Sequence, residues 1–252
     1  MWKNAWWLTK KEINMQLSSI LVTFLVAVFI GFLTAPYLYT LIQSMFVNQE
    51  AHLNFFILDL IFLGITPTFA AVFMSKHYLQ FQTMKSDPFG KRLAMYRSMP
   101  ISIDILTLSR ILFMLIILFI NSLLFYLVIY IALPGDVYLD QKLLLAFSLF
   151  WFGYALMLGG VNTFMESGTN GKVLFLYSFS FLAFLVILII FVQHNWSISI
   201  VEASILLVSN YPVISVIISL NVWKISLISY QNDAFCTYSK YSFIFSCIIT
   251  LI

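Results

Sequence analysis

The 252 residues are 62% hydrophobic, 18% aromatic and only 9% charged, with mean hydropathy +0.99 and a formal net charge of +3. A water-soluble domain carries roughly 45–50% apolar and about 25% charged residues, so a soluble fold here would lack the polar surface to cover itself, and lipid must be the solvent. Phe 26 against Gly 9 and Pro 6 excludes a disordered or collagen-like chain, and the two cysteines, Cys236 and Cys247, form neither a disulfide framework nor a metal-ligand spacing.

The chain opens on a helical pattern, residues 1–16, that is too polar to enter a bilayer. Trp2, Trp6, Ile13 and Leu17 recur at helical spacing while Lys3, Lys10 and Asn14 fall on another face. Trp at the headgroup level and Lys against anionic lipid suit an amphipathic helix lying on the membrane, with Trp2, Trp6, Trp7, Lys10 and Lys11 as its anchor. The apolar stretch that follows is about twice the length of a signal-peptide core, and no small-residue cleavage site ends it.

A bilayer core about 30 Å thick takes about 20 apolar residues per helix, so the gaps between charges locate the spans. They predict helices over Leu17 to Leu38, Phe55 to Met74, Ile111 to Leu133, Leu143 to Asn162, Val173 to Phe191 and Tyr211 to Tyr230, six in all. The expected fold is an all-α polytopic membrane protein forming a single transmembrane domain. Spans 1 and 2 lie in 17–74, spans 3 to 5 in 111–191, a broken element in 192–210, span 6 in 211–230 and a tail in 231–252. Glu202, Asn210 and Pro212 interrupt the stretch before span 6, which predicts a short interfacial or re-entrant helix over Ile198 to Val208. With the N-terminus inside, Lys142 alone of the 13 Lys and Arg falls outside, so both termini are expected in the cytoplasm and the chain in the cell membrane.

The longest polar stretch, 75–110, is then cytoplasmic. Asp87 before Pro88 is a helix start and Pro100 a helix stop, which bounds a short helix over Pro88 to Ser98. A second start at Ser102 or Asp104 launches span 3, with Arg110 at the interface. The short helix mixes Lys91, Arg92 and Arg97 with Phe89, Leu93, Tyr96 and Met99 ahead of Pro100, a composition suited to docking a protein partner and equally to a solvated basic loop.

Here the chain resembles a family. The six spans, the interfacial helix, and the stretch Tyr96-Arg-Ser-Met-Pro-Ile-Ser102 leading to Leu108-Ser-Arg110 are similar to the membrane subunits of type-2 ATP-binding-cassette (ABC) exporters of Gram-positive bacteria. The resemblance implies that Pro88 to Ser98 is a coupling helix docking a cytoplasmic ABC ATPase, that Ile198 to Val208 is an outer element before the last span, and that the chain pairs with itself or a sister subunit. It further implies export of a hydrophobic, peptide or drug-like cargo. The apolar stretch 231–252 departs from the short basic tail of that family.

The chain carries no engine of its own. Gly90-Lys91 and Gly171-Lys172 lack the upstream glycine of a phosphate-cradling loop, so ATP and Mg belong to a partner subunit, and no cofactor, metal site or nucleic-acid partner is expected. No set of catalytic residues appears, and the expectation is a transport subunit that is not itself an enzyme. Asp59 is the one acid well inside a span, and no basic residue lies at its depth. It is either a structurally satisfied carboxylate or the centre of an ion-coupled carrier or channel, the alternative reading of the whole chain. Pro67 and Gly159-Gly160 permit a kink and close helix packing.

Overall fold

The computed structural model describes residues 1–46, 55–72, 102–133, 141–168, 171–196, 198–212 and 217. Among them every regular element is helical: α1 (Trp2–Met15), α2 (Leu17–Phe46), α3 (Phe56–Leu60), a π-helical turn (Ile61–Ile65), a 3-10 turn (Thr66–Ala70), α4 (Ile103–Ala132), α5 (Gln141–Gly168), α6 (Gly171–Trp196) and α7 (Ile200–Asn210). Four helices are long and apolar enough to cross a bilayer: α2, α4, α5 and α6. Each overruns its predicted span because the polar residues at its ends, such as Asp104 in α4 and Lys142 in α5, stay helical beyond the apolar stretch.

Of the second predicted span, Phe55 to Met74, residues 55–72 are described, and they are not a regular α-helix: α3 gives way to the π turn, then to the 3-10 turn, and Ala71 is extended. Pro67 is the local cause. It has no N–H to return to the Leu63 carbonyl four residues back, and its ring crowds that carbonyl, so the α pattern cannot continue through it. The sixth span, Tyr211 to Tyr230, lies outside the described residues except for Tyr211, Pro212 and Ile217, as do the short helix Pro88 to Ser98 and the tail 231–252. The short helix predicted over Ile198 to Val208 is α7, two residues further along. It starts after Ser199, where a capping box with Glu202 fixes its first turn, and ends ahead of Pro212.

The broken second span sits at the centre. Phe62 meets Phe125 of α4 at 6.0 Å between ring centroids, and Phe147 and Trp151 of α5 at 5.3 and 5.1 Å, in edge-on and tilted geometries. Phe69 meets Phe125 at 5.3 Å. Part of the large Phe content is therefore interior packing, with each ring placing its edge against a neighbour's face. Close approach is set by two glycines. A Cβ at Gly159 of α5 would lie 2.5 Å from the Ala70 Cβ, and one at Gly31 of α2 would lie 3.1 Å from the Phe125 carbonyl oxygen. The helices differ in how much of them is enclosed: 50% of the apolar stretch of α5 is buried against protein but only 17% of that of α6, so α5 is central and α6 peripheral.

Candidate functional site

Three polar clusters interrupt the apolar interior. The first is built on Asp59, which is fully buried at the start of the second span. Its Oδ1 accepts from the Ser199 hydroxyl at 2.6 Å and from the Val201 N–H at 2.9 Å, and its Oδ2 accepts from Gln193 Nε2 at 2.8 Å. Val201 is the second residue of α7, so the carboxylate sits at the positive end of that helix and satisfies one of its orphan donors. Ser199 N–H donates to Glu202 Oε2, and the Ala203 N–H returns to the Ser199 carbonyl, so the first turn of α7 is capped from within as well as by Asp59. Trp151 Nε1 donates to Ser204 Oγ at 3.2 Å and ties the same helix to α5. One acid thus joins α3, the end of α6 and the start of α7. The partners of Asp59 are neutral donors and a helix end rather than the basic residue that its sequence depth lacks.

The second cluster sits at the break. Tyr154 of α5 donates to the Leu63 carbonyl at 2.9 Å, replacing the bond that Pro67 cannot make. Asn121 of α4 donates through Nδ2 to the Phe69 carbonyl at 3.0 Å, two residues before the chain turns extended at Ala71. Non-helical backbone survives at membrane depth only where neighbouring helices supply such donors. Asn121 is fully buried, and its Oδ1 has no hydrogen-bond partner among the described residues. The signal for this cluster lies in the sequence as Pro67 together with Asn121, a lone amide within a long apolar helix, but only the fold shows that they meet.

The third cluster joins α1 to the start of α4. Arg110 Nη1 contacts Glu12 Oε1 at 2.7 Å, with Glu12 5% and Arg110 15% exposed. Thr9 Oγ1 is shared between the Ala5 carbonyl of its own helix at 2.9 Å and the Ser109 carbonyl of α4 at 3.0 Å. The face of α1 that packs on the protein is therefore Ala5, Thr9 and Glu12, all buried, with Ile13 half-buried at its edge against Ile20, Val72, Phe113 and Ile117. Small residues at 5 and 9 admit the neighbouring backbone, and Glu12 closes the contact by pairing with Arg110. The Trp stripe is not the packed face: Trp2, Trp6 and Trp7 are 55–66% exposed, and Lys10 and Lys11 are exposed with them.

Of the residues singled out in the sequence, Asp59 and the α1 anchor are in view, at two separate clusters. Phe89, Lys91, Arg92, Leu93, Tyr96, Arg97, Met99 and Pro100 lie outside the described residues. Glu12, Tyr154, Asn121 and Gln193 carry interactions that the sequence reading did not assign. Among the described residues no group of three or more His, Cys, Asp or Glu side chains could hold a metal ion. The chain matches no family model, no curated protein and no solved structure.

Proposed function

We propose that the chain is the membrane-spanning permease subunit of an ABC transporter, exporting a hydrophobic, peptide or drug-like cargo with ATP hydrolysed by a separate cytoplasmic subunit. The observation that carries the reading is the junction of α1 with α4. Glu12–Arg110 and Thr9–Ser109 bind the N-terminal helix to the helix that begins directly after the segment Pro88 to Pro100. A force applied by an ATPase to that segment would reach α1 and a full-length apolar helix together. With both termini on the cytoplasmic side, the Asp59 cluster lies at the opposite, outer end, and α7 is the outer element before the last span.

In this mechanism Arg92 and Arg97 make polar contacts with the ATPase, and Phe89, Leu93 and Tyr96 fill an apolar groove on it. The bound subunit pushes the segment, and the spans tilt to open a path outward. Purification of the tagged chain from its native membrane in mild detergent, followed by mass spectrometry, should recover an ATPase subunit. Arg92→Glu combined with Tyr96→Ala should weaken that association by about tenfold or more, the effect of removing two interface anchors; unchanged recovery sinks the docking reading. A carrier centred on Asp59 is the weaker alternative. Its carboxylate oxygens already take three donors in a helix-capping arrangement, which is the coordination of a structural acid.

A further inference from the structure

The register of α1 is fixed by its docking face, and that divides the rest of the helix into two working surfaces. At the helical increment of about 100° per residue, Trp2, Trp6 and Ile13 lie about 70° round from the face formed by Ala5, Thr9 and Glu12, while Lys3, Lys10 and Asn14 lie about 150° round. Trp7 and Lys11 border that far side, with Lys11 Nζ 5.4 Å from the centre of the Trp7 ring. The one acid of the helix, Glu12, is buried and paired with Arg110. The exposed surface of α1 is therefore cationic, with no exposed acid of the helix itself beside the lysines, and an indole stripe runs between the cations and the protein.

We infer that this surface binds anionic phospholipid headgroups. Trp2 and Trp6, both exposed, enter the acyl boundary, while Ile13 packs on the cluster of Ile20, Val72, Phe113 and Ile117 and holds that edge of α1 to the protein; Lys3, Lys10 and Lys11 meet the lipid phosphates. Charge complementarity selects the occupant: three lysines and three indoles on one short in-plane helix match a negatively charged leaflet, and each lysine near such a surface favours it by about fivefold. An acidic protein surface would match the lysines but leave the indole stripe, which lies on the lipid side of the docking face, without a role. The inference rests on α1 lying along a membrane surface and is independent of whether an ATPase binds.

The test uses the full chain, with Trp196→Phe and Trp223→Phe to leave the α1 indoles and the buried Trp151, reconstituted alone into vesicles of equal phosphatidylglycerol and phosphatidylcholine. Bromine is placed on the acyl chains of one lipid at a time, and Trp quenching reads which lipid surrounds α1. Brominated phosphatidylglycerol should quench more, by an enrichment of about threefold or greater, with the preference shrinking as salt rises through the range where the Debye length falls below about 8 Å. Lys3→Gln with Lys10→Gln and Lys11→Gln should abolish the preference, and the corresponding three Lys→Arg changes should keep it. Equal quenching by the two lipids, or a preference that survives the glutamine variant, overturns the inference. So does a glutamine variant that keeps its lipid preference while losing a co-purifying ATPase, which would assign the lysines to a protein partner.

Discussion

Asp59 and Glu12 are both buried acids in a chain with little charge, and they are stabilised in opposite ways. Asp59 has no cation among the described residues: three neutral donors, from the end of α6 and the start of α7, hold it. Glu12 takes an arginine, and the pair keeps an edge at the surface through Arg110. The difference follows from depth. A guanidinium brought wholly into the interior would lose more hydration than one contact restores, whereas backbone and amide donors at a helix start are desolvated already and only lack an acceptor. The first arrangement therefore ties three elements of the bundle together, and the second pins one surface helix to one span.

The largest effect is expected at Asp59. Asp59→Ala should cost about 3 kcal/mol or more, because it leaves three buried donors unpaired at about 1–3 kcal/mol each. Thermal unfolding in detergent should fall as one cooperative transition, since α3, α6 and α7 lose their common acceptor. Glu12→Ala should cost about 2–3 kcal/mol and act locally, because Arg110 lies at the surface and still reaches solvent. Amide exchange should rise across α1 and leave the α4 to α5 core protected, and the exchange of partners, Glu12→Arg with Arg110→Glu, should recover most of the loss. If both acids gave the same global destabilisation, the contrast between them would be wrong.

Packing at the broken span gives the next step down. Gly159→Val should cost about 1–3 kcal/mol by forcing α5 away from Ala70, and Ala70→Gly in the same chain should return a measurable part in a double-mutant cycle. Tyr154→Phe removes the donor to the Leu63 carbonyl and should cost about 0.6–1.7 kcal/mol, the range of single interhelical hydrogen bonds in membranes. Asn121→Leu should cost less than Tyr154→Phe, because it loses one bond but also deletes the unpartnered Oδ1. Unfolding by denaturing detergent resolves differences of this size.

Much of the fold was legible locally. Charge spacing located the four long helices, Trp and Lys spacing located α1, and the interruptions at Glu202, Asn210 and Pro212 marked α7 to within two residues. Pro67 marked a kink, but not a change through three backbone conformations, because the extent of a break depends on whether outside donors can satisfy the freed carbonyls. Gly159 was visible as a small residue, though not as the one that admits Ala70. The amphipathic pattern of α1 was correct as a pattern but gave no docking face, since Ala5 and Thr9 are neither strongly apolar nor charged and hydropathy does not register a fit between backbones.

The sequence by itself determined the solvent of this protein, the positions of its long helices and the Trp and Lys stripes of α1, because each follows from transfer free energies and a fixed helical period that any short window contains. Tertiary structure alone decided that Asp59 caps α7, that Tyr154 and Asn121 complete the broken second span, and that Glu12 meets Arg110. Those contacts join residues from 52 to 142 positions apart. A buried polar group must be paired, but which of many distant donors pairs it is fixed only when the helices have packed.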